Sequence, residues 1–190
     1  MSNEQLEKSI QDKVSIFFKK NLKKLIIFLG FVILIFLSFI FFEYKSNILN
    51  IKLSEDYNKA KILIQNKKNE EANLILIDII NEKNKIYSPL SLYLILDSDL
   101  IKDKEKLEIL FDKIITIKSL EKEEINLMKI KKALFIMDQK NEQKILELLN
   151  PIINNNSVWK NTALELLANF FLSKGDKLKS EEYFKLIEIE

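Results

Sequence analysis

The chain contains no histidine and no cysteine. That removes the usual general base near neutral pH, the thiol nucleophile and the commonest zinc ligands. Carboxylates and lysines remain. Two carboxylate pairs, Glu123-Glu124 and Glu181-Glu182, are adjacent in sequence. Neighbours on a helix point about 100° apart, so each pair splays and reads as solvated surface. Glycine occurs only at Gly30 and Gly175, leaving no glycine-rich loop to cradle phosphate. No catalytic residue, metal site, cofactor or small-molecule substrate is expected, and the chain reads as a non-enzyme.

Recognition chemistry is the alternative use for such a sequence. Trp159, the single tryptophan, opens a strongly apolar stretch and is expected in the core rather than on a ligand. Tyr57, Tyr87, Tyr93 and Tyr183 have amphipathic rings suited to a peptide groove; packing between helices with the hydroxyl at the surface competes for each. Lysine supplies all thirty basic residues. The absence of arginine forks and of a basic face argues against nucleic acid as a partner. The missing arginine, with abundant Asn and Ile, is the imprint of an AT-rich genome.

Positioning begins with the run Leu25–Phe42, eighteen residues without a charge. At ~1.5 Å per residue such a helix covers roughly 27 Å, close to the hydrocarbon thickness of a bilayer. Its Leu, Ile, Val and Phe residues each favour insertion by about 0.3–0.6 kcal/mol. Gly30 and Ser38 dilute it, and they would allow close helix contact on one face. The exit, Ser38-Phe-Ile-Phe-Phe42, is too bulky for signal cleavage, so a permanent anchor is expected. Lys8, Lys13, Lys19, Lys20, Lys23 and Lys24 precede the run, whereas Glu43 and Lys45 follow it. The lysine-rich side stays cytoplasmic, which sends the C-terminal region outward, into the periplasm of a bacterium. Segment 1–24 places Leu6, Ile10, Val14, Phe17, Phe18 and Leu22 at helical spacing. It reads equally as an interfacial amphipathic helix and as a lead-in to the span.

From Ser46 to the end, apolar residues recur every three to four positions between short polar turns. Few glycines and prolines disfavour a turn-rich β fold. The expected fold class is all-α, with a domain at 46–190 of eight helices near 46–66, 69–83, 88–101, 103–118, 121–138, 141–154, 157–174 and 176–188. The seventh carries the clearest stripe: Trp159, Thr162, Ala163, Leu166, Leu167, Phe170 and Phe171. Ser157 is expected to cap its start, Gly175 to stop it and Asp176 to cap the eighth. Pro89 suits a first helical position, and Pro151 should end or kink the sixth helix. Polar turns begin near Asn69, Asp103, Asn141 and Asp176, spaced 34, 38 and 35 residues apart. A two-helix period near 34 residues marks tetratricopeptide arrays. About four hairpins would stack into a right-handed α-solenoid, with Ala133 and Ala168 as close-approach residues and Lys61 and Ile95 at the equivalent earlier positions.

The stretch Trp159–Ala168, the Phe171–Asp176 element and the upstream Leu149-Asn-Pro-Ile152 resemble the closing unit of a bacterial family. These are membrane-anchored tetratricopeptide-like proteins similar to the ancillary SecYEG translocon subunit (YfgM-like). The order of parts is similar as well. The resemblance implies an inner-membrane protein with a periplasmic domain, whose partners are the SecYEG translocon and periplasmic chaperones or emerging chains. An envelope scaffold for outer-membrane biogenesis or cell division is the second expectation. Neither reading identifies partner-binding residues.

Overall fold

The computed structural model describes residues 3–139 and 141–188, and for 3–19, 25, 139 and 188 the backbone alone. All the described regular structure is helical. Eight helices follow in order: α1 Asn3–Gln65, α2 Asn69–Asn81, α3 Tyr87–Asp97, α4 Lys104–Ile115, α5 Lys122–Ile136, α6 Glu142–Ile153, α7 Lys160–Ser173 and α8 Lys177–Glu188. A 3-10 turn, Met137–Gln139, extends α5. Two compact units divide the chain, Met1–Ile51 and Lys52–Glu190.

The first unit is helix throughout its described length. Every described side chain from Ile26 to Phe42 is exposed, so this is one helix long and apolar enough to cross a membrane. Ser38 turns its hydroxyl back onto the carbonyl of Leu34 at 2.8 Å, which satisfies it within its own helix. Apart from its chain neighbours and the backbone of its own helical turn, no described atom comes within 4 Å of a Cβ placed on Gly30. Of the apolar set proposed for segment 1–24, only Leu22 has a described side chain, and it is exposed; the rest lie outside the described side chains. Sequence spacing suggested a fresh helix at Ser46. The helix instead runs unbroken to Gln65, because neither glycine nor proline interrupts residues 31–65.

In the second unit each turn is built from local signals. Asp103 accepts hydrogen bonds from the amides of Glu105 and Lys106 at the start of α4. Asn141 accepts from Lys144 at α6, and Asp176 from Lys179 at α8. Glu121 and Glu124 close a reciprocal capping box on α5, an acidic version of the usual hydroxyl-led arrangement. Gly175 has φ +82. Its N–H donates to Leu172, and the amide of Asp176 donates to Phe171, the paired bonds of a Schellman stop.

Glycine is too scarce to supply the other stops. Lys67, Lys83 and Asp99 occupy left-handed backbone at φ 60, 53 and 52, where a Cβ is strained. Their amides still close onto Ile64, Ile80 and Leu96. Pro151 neither ends nor replaces α6, which continues to Ile153. Pro89 falls at the third residue of α3 rather than the first, still within the first turn, where a missing N–H costs little.

Successive helices pack from α2–α3 and α3–α4 to α7–α8, and α2–α4 and α5–α7 also touch. One buried core cluster joins Ile130, Ala133 and Ile136 of α5, Ile145, Leu149 and Ile152 of α6, and Ala163, Leu167, Phe170 and Phe171 of α7. Ala133, Ala168 and Ile95 are all fully buried. Near the first turn the small buried residue is Ala60, one position before the exposed Lys61. Replacing Lys83 by glycine should relieve its left-handed strain and stabilise the protein by about 1 kcal/mol, whereas Gly175→Ala should cost about as much. Denaturant melts of the two variants, referenced to the parent chain, check the opposite signs.

Candidate functional site

Four helices of the second unit surround an open depression of about 880 Å³. Its floor is aromatic: Phe111 of α4 and Phe135 of α5 lie with ring centroids 5.6 Å apart. Tyr57 of α1 and Tyr93, Leu94 and Leu96 of α3 form one wall, and Lys131 and Leu134 of α5 form the other. Asp97 stands at the end of α3 on the rim. The volume falls within the ordinary range of ligand sites, and the mostly apolar lining with a few polar tips is their usual composition.

Two of the four sequence-selected tyrosines therefore meet. Tyr87 supports them from behind, its ring centroid 6.2 Å from that of Tyr57. Tyr183 goes elsewhere and stacks on Phe171 at 5.6 Å and 5°. Tyr93 directs its hydroxyl toward the sulfur of Met128 at 3.6 Å. Burial pushes the phenols of Tyr57 and Tyr93 up from their ordinary value, so both stay protonated and able to donate at neutral pH. The ammonium of Lys131 rests 3.7 Å from the centroid of the Tyr93 ring, a cation–π contact. Sequence reading missed Lys131, Leu134, Phe111 and Phe135. A signal existed in α5, where apolar residues at 127, 128, 130, 133, 134, 135 and 136 exceed what one buried helix face requires.

A second constellation joins residues more than thirty positions apart. Ser157 was expected to cap α7, but that helix begins at Lys160 and its N-cap residue is Trp159. The Ser157 hydroxyl instead donates to Glu123 at 2.6 Å and accepts from the Asn126 amide at 3.0 Å. The Trp159 backbone N–H also points at it, at 3.2 Å. The indole N–H of Trp159 donates to the Glu123 carbonyl at 3.1 Å. Glu123 is thus half-buried and engaged, not solvated surface, while Glu124, Glu181 and Glu182 are exposed. This clasp fixes the α6–α7 connection to the first turn of α5. Trp159 accordingly packs on the core and carries a bond, with its ring half-covered.

Several other charges pair between helices. Lys132, 8% exposed, reaches Asp112 at 2.6 Å, and Lys144 reaches Glu108 at 2.9 Å. Glu142 accepts from Lys174 and Lys179, and those bonds hold its carboxyl below the usual carboxylate range. Lys104 does the same for Asp138. Among the described residues no group of three or more Asp and Glu side chains has metal-holding geometry. What the groove offers is apolar contact, the Tyr57 phenol, the Lys131 ammonium and, at its rim, the Asp97 carboxylate. No family model, curated protein or solved structure matches the chain.

Removing the Ser157 hydroxyl leaves Glu123 and Asn126 without their shared partner. Ser157→Ala should therefore destabilise the fold by about 1–3 kcal/mol, read from the urea midpoint. The carboxyls of Glu142 and Asp138 have folded-state pKa values below their unfolded ones. Their contribution is present above the ordinary carboxylate range of about pH 4 and is lost as pH falls through the folded values. Thermal melts should show a falling midpoint in acid, and that fall should be shallower in a Glu142→Gln variant.

Proposed function

We propose that this chain is a non-catalytic, membrane-tethered protein-interaction module. Its Leu25–Phe42 segment crosses the bilayer once, the N-terminus stays cytoplasmic, and the helical unit works on the opposite side. The observation that carries the reading is the aromatic groove of Tyr57, Tyr93 and Lys131. It is an open, mostly apolar surface with a few polar tips, on the same chain as an exposed apolar helix of membrane-spanning length. Serial packing of helical hairpins supports a tetratricopeptide-like array, since each hairpin leaves an apolar face for the next to cover.

In its most concrete form, the module is an accessory subunit of the bacterial protein-export translocon. There it holds periplasmic chaperones or emerging chains near the exit. That form rests on the resemblance of Trp159–Ala168, Phe171–Asp176 and the order of parts to the YfgM-like family. Tethering supports it on physical grounds, because confining a weak binder beside its target raises effective concentration without any new contact.

Crosslinking in native membranes followed by affinity capture should enrich translocon subunits over abundant unrelated membrane proteins. Failure of that enrichment removes the translocon assignment. Alkaline phosphatase fused after Glu190 should be active and green fluorescent protein dark. The reverse pattern overturns the proposed topology.

A further inference from the structure

The groove has a polar feature that an apolar binding surface does not need. Lys131 is half-buried on the face of Tyr93, and among the described residues it forms no ion pair. Four other lysines on the inter-helix seams differ: Lys132, Lys144, Lys174 and Lys179 all meet carboxylates. The other charge of the groove, Asp97, is exposed at its rim. A docked apolar segment would strip water from the ammonium of Lys131, and an unpaired desolvated charge is costly. A carboxylate on the incoming chain offsets that loss and adds specificity.

Beside Lys131 the wall offers an aliphatic seat. Leu134 is 48% exposed, and Leu94 and Phe135 are half-covered. The two chemistries lie close together, because residues 131 and 134 share one turn of α5. The depression is open rather than enclosed, so a passing segment need not end in it. We infer that the groove takes an internal stretch of a partner protein in which an acidic side chain, meeting Lys131, stands within a turn of Leu, Ile or Phe residues that cover Leu134 and Phe135. This rests on the reading of the domain as an interaction module and names the chemistry of its partner.

The test pans a random twelve-residue peptide library, displayed on phage, against the full-length chain in lipid nanodiscs, after depletion on empty nanodiscs. Parallel selections use Lys131→Gln and Leu134→Asp, with Tyr57→Ser as a second groove variant; helicity and melting midpoint verify that each is folded. Peptides recovered on the parent should be enriched several-fold in Asp or Glu beside aliphatic or Phe residues. On Lys131→Gln the acidic preference should vanish while the apolar one persists, and on Leu134→Asp both should be lost. A selected peptide, synthesised with blocked ends, should bind Lys131→Gln about fivefold more weakly than the parent.

Apolar peptides recovered without an acid, or acids retained on Lys131→Gln, overturn this inference and leave the interaction module standing. Identical recoveries on the parent, Leu134→Asp and Tyr57→Ser overturn both. A dimer in sedimentation that Leu134→Asp and Tyr57→Ser abolish assigns the groove to a second copy and also overturns the inference.

Discussion

No helix of the C-terminal unit can hide its own apolar face, and that constraint organises everything else in it. The helices from α2 to α8 run from 11 to 15 residues, too short to persist alone in water. Each gains its stability by laying an apolar stripe on a neighbour, as Ile145, Leu149 and Ile152 of α6 lie on Ala163, Leu167 and Phe170 of α7. Because the cover comes from the next element along the chain, the order of helices and the order of packing largely coincide. The short turns that enforce this are fixed by caps, by one glycine and by three strained left-handed residues.

Polar contacts then set register. Non-directional apolar packing tolerates sliding of one helix along another, whereas a hydrogen bond fails within a fraction of an ångström. The Ser157–Glu123–Asn126 clasp, with the indole of Trp159, ties the entry of α7 to the first turn of α5. The ion pairs Lys132–Asp112, Lys144–Glu108 and Lys174–Glu142 link successive helical pairs in the same way. Each keeps part of at least one partner in solvent, and Lys132 alone is buried, so the pairs add modest stability. Of the three, Lys132–Asp112 joins α5 to α4 one position from the groove residues Lys131 and Phe111.

The groove follows from that arrangement. Four helices contribute to it, and α5 supplies both its cationic wall and part of the core beneath, since its apolar residues exceed one face. On the same chain, the exposed helix from Ile26 to Phe42 presents a continuous apolar surface for which lipid is the matching solvent.

Much of this was written within short windows of the sequence. The uncharged run from Leu25 to Phe42, the three-to-four spacing of the helices, the caps at Asp103, Asn141 and Asp176 and the stop at Gly175 each depend on residues a few positions apart. Such signals act through the local backbone, so they survive in one dimension. The unbroken course of α1 past Ser46 was obscured because a polar, charged sequence after an apolar one looks like a boundary although nothing in it breaks a helix. Ser157 was read as a cap since only its local partners were in view. Its real acceptor, Glu123, lies 34 positions away. Tyr57, Tyr93 and Lys131 converge, while Tyr183 stacks on Phe171, because the packing of α1, α3 and α5 decides which ring faces which neighbour. Periodicity determines that a helix has an apolar face; only the stacking of whole helices decides which part of that face is left open.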